Sequence, residues 1–220
     1  MTSTRTSIGS VSDCECEMLQ SRRHIDLLST NKVVPRVNER FLQDGANMRL
    51  AGKVALISGG ARGQGKYEAQ LFAKEGAAVV IGDVLCDLGS KVAEEISNEG
   101  RHATFVKLDV ACEKDWQRAI EQTLITYGML NILINNASIY RSTPVERTSL
   151  EEWDEVLATN ARGTFLGTKY SIPAMRDAGG GSIINLSSIA GLVGSAYSAS
   201  YNASKGAVRL LTKSTAIQYA

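Results

Sequence analysis

Apolar residues along this chain follow two habits in turn. From Met48 onward, short and nearly unbroken apolar runs recur at Lys53–Ser58 (KVALIS), Ala77–Asp83 (AAVVIGD), His102–Asp109 (HATFVKLD), Asn131–Asn136 (NILINN) and Gly181–Ser188 (GSIINLSS). Runs of this length without polar alternation predict strands in a sheet covered on both faces. Between the runs, apolar positions shift to helical spacing. Tyr67, Leu71 and Phe72 follow the first run, Leu88, Val92 and Ile96 the second, and Trp116, Ala119, Ile120, Thr123, Leu124 and Tyr127 trace a stronger stripe after the third. A further helical stretch runs from about Leu150 toward Met175, with bends expected at Gly163, Gly167 and Pro173. Strand and helix in regular alternation predict the α/β class, as a doubly wound parallel sheet with helices on both faces.

Residues 1–47 break this rhythm. They are polar, lack sustained periodicity and carry six acidic and six basic side chains. No apolar central run of a secretory signal is present, and the acids argue against an organelle transit segment. The segment therefore reads as a disordered N-terminal extension, dispensable or read from an upstream start, with the folded domain at 48–220.

Composition narrows the function classes. Apolar residues make up 44% and charged residues 21%, the proportions of a globular, water-soluble domain. A formal net charge of +1 gives no electrostatic reason to expect nucleic acid or an anionic membrane as partner. Runs such as AAVVIG are too short to span a bilayer. Cys14, Cys16, Cys86 and Cys112 offer one C-x-C and no metal-ligand spacing, so free thiols, no metal and a cytoplasmic setting are expected.

The chemistry begins after the first run. Ser58–Gly65 reads SGGARGQG, with Gly59, Gly60, Gly63 and Gly65 around Arg62 and Gln64, between an expected strand and an expected helix. Glycine there permits positive φ and lets backbone N–H groups approach a pyrophosphate, which the helix N-terminus also favours. Asp83, with Val84 after it, ends the second run eighteen residues beyond Gly65. A carboxylate at that place accepts hydrogen bonds from the adenosine ribose hydroxyls and repels a 2′-phosphate, so NAD is expected over NADP despite Arg62. Asp109 and Val110 close the third run, and Asn136, Ala137 and Ser138 close the fourth, at the strand ends where open α/β sheets bind ligands.

In chain order, SGGARGQG, Asp83, LDV, NNAS, Asn160, LSS and YNASK resemble the short-chain dehydrogenase/reductase family, in spacing as well as type, over nearly all of 48–220. The resemblance implies a Rossmann-like fold. It is closest to the NAD-dependent secondary-alcohol and hydroxysteroid dehydrogenases, through GGARG, IPAM, DAGGGSI and GLVG. Two departures stand out. Ser138 takes a place where the family more often has glycine, and the chain ends at Ala220 where family members continue with further strands and a substrate loop. A C-terminally truncated domain is the expectation.

YSASYNASK, Tyr197–Lys205, holds the acid–base candidates. Tyr201 lies four residues before Lys205, so a helix places both on one face, whereas Tyr197 has Tyr201 at that offset. Tyr201 also follows Ser188 by thirteen residues, as the resemblance requires. Hydride transfer from an alcohol leaves a hydroxyl proton, and a phenol of ordinary pKa near ~10 is a poor base at neutral pH. A neighbouring ammonium and an oxidised nicotinamide both favour the phenolate. Ser188 is the expected donor to the substrate oxygen, with Ser187 as the alternative that strand alternation points the other way.

By resemblance, Lys205 also bonds the nicotinamide ribose, Asn160 holds a water in a proton relay, and the long helices build a homodimer or homotetramer. Ile139, Tyr140, Ile189, Ala190, Val193, Gly194 and Tyr197 are the expected substrate lining, apolar apart from nearby Arg141. A neutral secondary alcohol or ketone is the expected substrate. The alternatives are a 3-oxoacyl-carrier-protein reductase, which Asp83 disfavours, and a non-catalytic fragment that binds dinucleotide or a sister subunit.

Overall fold

Five strands, β1 (Val54–Ser58), β2 (Ala78–Asp83), β3 (Ala103–Lys107), β4 (Ile132–Asn135) and β5 (Ser182–Asn185), form one parallel sheet in the order β3-β2-β1-β4-β5. The computed structural model that shows this describes residues 48–220, so the expectation for residues 1–47 lies outside the described residues. Parallel neighbours need long crossovers, and helices supply them: α1 (Gly63–Lys74), α2 (Cys86–Asn98), α3 (Glu113–Tyr127), α4 (Leu150–Leu157), α5 (Gly163–Asp177) and, after β5, α6 (Ala199–Tyr219).

Strand alternation divides the core in two. Ala55, Ile57, Val79, Ile81, Ile132 and Ile134 point to one face, where Ala69 and Ala73 of α1 and Val92, Ala93 and Ile96 of α2 cover them. Leu56, Val80 and Leu133 point to the other, against Trp116, Ala119 and Ile120 of α3 and Leu166, Ala174 and Met175 of α5. The three central strands are buried on both faces, as their unbroken apolar runs require. The outer strands depart from the expectation. β3 is only half-buried, and in β5 exposed and half-buried residues alternate, with Ile184 39% exposed.

Two helical expectations shift. Leu88 is exposed and Gly89 takes its place on the buried face of α2, because a Cβ at Gly89 would stand 2.2 Å from the Phe105 ring. In α1 the inner face is Gly65, Ala69 and Ala73, while Tyr67 and Leu71 face outward. Small residues let α1 approach the sheet; spacing alone could not separate the two faces. The Leu150–Met175 stretch is broken at neither Gly167 nor Pro173, but by a π-helical segment at Ala158–Arg162 that ends just before Gly163. Such segments concentrate at functional sites, and this one carries Asn160.

Strand order reverses at β1, whose neighbours are β2 on one side and β4 on the other. Ligands of open α/β sheets bind outside the carboxyl ends of the strands at such a point. There the chain places the glycine turn, the ends of β2 and β3, and the loop after β4.

Candidate active site

The glycine turn is fastened from below before any ligand is considered. Gly59 N–H donates to the Gly82 carbonyl at 2.7 Å, and the Asn136 side-chain amide donates to the carbonyls of Ser58 and Gly59 at 3.0 and 3.1 Å. Ser58 Oγ accepts from the N–H groups of Asn136 and Ala137, both at 3.2 Å. Gly59 and Gly63 have φ of +68° and +55°, which side-chain-bearing residues rarely adopt. Gly65 serves close packing instead: a Cβ there would lie 2.2 Å from the Gly59 carbonyl oxygen. The first turn of α1 has neither a side-chain cap nor an acidic residue, so its N–H groups remain available to an anion.

Asp83 is 7% exposed and spends one hydrogen bond on each oxygen. Oδ2 accepts from Ala61 N–H and Oδ1 from Leu85 N–H, both at 3.0 Å. Its carboxylate thus ties the glycine turn to the end of β2 and keeps lone pairs for two hydroxyls. Asp109 Oδ1 accepts from Ala111 N–H at 2.9 Å in a similar local turn.

Together these segments enclose a cleft of about 430 Å³. Gly59, Arg62, Gly63, Asp83, Val84, Asp109, Val110, Asn136, Ala137 and Ser138 line it, all named from sequence. Gln64 and Gly65 do not: the Gln64 amide donates to Glu68 along α1 at 2.8 Å, and Gly65 is buried beneath the turn. Leu108 of the LDV motif lines it too, as does Ile139, expected on the substrate side, while Leu85 and Thr159 had no sequence signal. The backbone donors at one end and the buried carboxylate at the other suit a dinucleotide.

The second half of the site stands on β5, the π segment and α6. Lys205 is 3% exposed, its Nζ donates to the Leu186 carbonyl at 2.7 Å, and it sits 5.7 Å from the centre of the Tyr201 ring. Burial lowers its pKa to about 8. Ser188 has extended backbone, and its Oγ accepts from Ala190 N–H at 3.1 Å, which leaves the hydroxyl proton to donate elsewhere. Ser187 is committed elsewhere, donating to the Lys205 carbonyl at 3.0 Å. Both serines lie just beyond β5, and their hydroxyls bond different partners.

Asn160 is 1% exposed and its amide makes three hydrogen bonds. Oδ1 accepts from Ile139 N–H at 2.8 Å; Nδ2 donates to Ile139 C=O at 2.9 Å and to Ser204 Oγ at 3.0 Å. Ser204 in turn donates to the Tyr201 carbonyl at 2.7 Å. The Asn160 side chain clamps the loop after β4 to the first turns of α6. Ser204 was legible only as part of ASK, and nothing in the sequence paired it with Ile139.

Above these residues lies an exposed apolar rim. Tyr140, Ile189, Leu192, Val193 and Tyr197 are each more than half exposed. A parallel bridge between Thr143 and Ser198 brings the loop after β4 beside the segment before α6. Tyr197 has φ of +56°, a strained conformation for an aromatic residue, beside a knot of Ser195, Ser198 and Asn202. Arg141 is paired to both Glu155 carboxylate oxygens at 3.0 and 2.9 Å, so its charge is already met. No helix among the described residues is long and apolar enough to cross a membrane, and none of their His, Cys, Asp and Glu groups could hold a metal ion.

Comparison with known proteins gives a consistent picture. The family model described as short chain dehydrogenase matches residues 53–220. Cyclopentanol dehydrogenase of Comamonas testosteroni is 45% identical over 172 residues, which cover 78% of this chain and 69% of that protein. The 3-alpha-(or 20-beta)-hydroxysteroid dehydrogenase of Mycobacterium tuberculosis (strain ATCC 25618 / H37Rv) is 45% identical over 170 residues, covering 77% of this chain and 64% of that protein. Trans-4-hydroxycyclohexanecarboxylate dehydrogenase of Sinomonas cyclohexanicum is 47% identical over 175 residues, covering 77% and 67%. The chain thus spans about two thirds of the length of these curated relatives.

Proposed function

The chain is a member of the short chain dehydrogenase family, and from that premise we propose that it oxidises a neutral, alicyclic secondary alcohol to its ketone, or the reverse, with NAD. The observation that carries this reading is the juxtaposition of Tyr201, Lys205 and the Asn160–Ser204 clamp, which also bonds Ile139 at the wall of the cleft. When bound, the nicotinamide supplies the hydride acceptor. Tyr201 takes the hydroxyl proton of the alcohol in oxidation and returns it in reduction. Lys205 stabilises the phenolate as an ammonium, held in place by the Leu186 carbonyl. Ser188 donates its free O–H to the substrate oxygen as negative charge develops there.

Asp83 supports NAD over NADP, because a buried carboxylate with unused lone pairs binds ribose hydroxyls and repels a phosphate. The exposed apolar rim and the neutralised Arg141 favour an uncharged ring substrate, in keeping with the ring alcohols that the relatives' names describe. Pairing of subunits through α5 and α6 into a dimer or tetramer, and a cytoplasmic setting, complete the proposal. The test is turnover of cyclopentanol followed by nicotinamide absorbance, in wild type and Tyr201→Phe. Loss of the phenol is expected to reduce kcat by about 100- to 10,000-fold while NAD affinity stays unchanged. Equal turnover in the two proteins, or preference for NADP, overturns the corresponding part of the proposal.

A further inference from the structure

Tyr140 stands outside every motif above, yet its ring meets that of Tyr201 almost at right angles, with centroids 5.1 Å apart and planes at 83°. This is the edge-to-face arrangement that aromatic quadrupoles prefer. Tyr140 is 56% exposed, so core packing does not explain where it lies. Its backbone is nonetheless held tightly. Ile139, immediately before it, is clamped through both N–H and C=O by Asn160. Arg141, immediately after it, is anchored on Glu155 and donates through Nη1 to the Tyr140 carbonyl at 3.1 Å.

The same Asn160 amide reaches Ser204 Oγ, which is bonded to the Tyr201 carbonyl. One buried side chain therefore fixes the backbones of both tyrosines relative to each other, and the ring contact follows from that clamp. Tyr201 sits in the first turn of α6, where its ring is otherwise touched from the Lys205 side. A phenol that transfers a proton must be held near its reacting partner, and a ring free to swing loses that geometry.

We infer that Tyr140 is a positioning residue whose ring holds the Tyr201 ring in its proton-transfer orientation. The inference rests on the reading of Tyr201 as the acid–base group. It requires the aromatic ring of Tyr140 and makes no use of its hydroxyl.

Steady-state kinetics of the full chain with cyclopentanol and NAD test it in wild type, Tyr140→Leu and Tyr140→Phe. Tyr140→Leu is expected to lower kcat by about three- to tenfold, the usual strength of an edge-to-face ring pair, with KM for NAD unchanged. Tyr140→Phe, which keeps the ring edge, is expected to restore kcat to within about twofold. Equal kcat in Tyr140→Leu and wild type overturns the inference alone. So does a Phe variant as impaired as Leu, or a rise in KM for NAD that matches the fall in kcat, since either marks a different role. A wild-type chain without turnover overturns the dehydrogenase reading, and this inference with it.

Discussion

Replacing Asn160 by alanine is the perturbation whose cost the structure defines most sharply. The side chain is 1% exposed and makes three hydrogen bonds, to Ile139 N–H, Ile139 C=O and Ser204 Oγ. Truncation leaves the two Ile139 backbone groups without their partners. Ser204 keeps its donation to Tyr201 and loses only a bond that it accepted. Each stranded buried group costs about 1–3 kcal/mol, so the pair costs about 2–6 kcal/mol, toward the lower end where water enters the space. In a domain of this size each kcal/mol moves Tm by about 2–4 °C, which gives a fall on the order of 10 °C. Differential scanning calorimetry measures it directly. Asn160→Asp sharpens the test. The carboxylate still accepts from Ile139 N–H, but it turns a second oxygen toward Ile139 C=O and offers Ser204 no donor. Its Tm is expected to fall at least as far as that of the alanine variant. A shift below about 2 °C in both variants would refute the clamp, since even one stranded group costs about 1 kcal/mol.

Two further outcomes follow from buried charges. Lys205 has a folded pKa of about 8 against an ordinary 10.5. Below pH 8 the lysine is protonated in both folded and unfolded chains, and the burial penalty is present in full. Between pH 8 and 10.5 the unfolded chain binds more protons, so stability rises with pH through that window. Urea unfolding across the window in wild type and Lys205→Met is expected to show the rise only in wild type; parallel curves would count against it. Asp83→Ala removes an acceptor for two ribose hydroxyls. It is expected to weaken NAD binding by about 10- to 100-fold, the worth of hydrogen bonds to a charged group, and to narrow discrimination against NADP. Competitive titration of the two coenzymes reads both effects, and unchanged discrimination would remove Asp83 from coenzyme choice.

Much of this protein lay open in its sequence. The unbroken runs VALIS, AVVIGD and ILIN read as strands buried on both faces, and the helical stripes between them pointed to a parallel sheet. Once that sheet is assumed, every motif after a strand falls on one edge, which is why ten residues of the cleft were legible. The offset of four between Tyr201 and Lys205 likewise fixes a shared helix face in any tertiary setting.

Tertiary structure alone decided the contacts that join residues far apart in the chain. Nothing local to Asn160 indicates that its amide will be consumed by Ile139 and Ser204, 21 and 44 residues away. Nor does anything near Tyr140 announce a ring contact with Tyr201. The π segment is similar: it packs against α6 and carries the Asn160 amide that bonds the loop after β4, whereas glycine and proline propensities pointed to later positions. Periodicity encodes which face of an element is buried, because that depends on residues within one turn or one pleat. Which side chain satisfies a given backbone group depends on where the crossovers bring the chain back, and a single element does not contain that information.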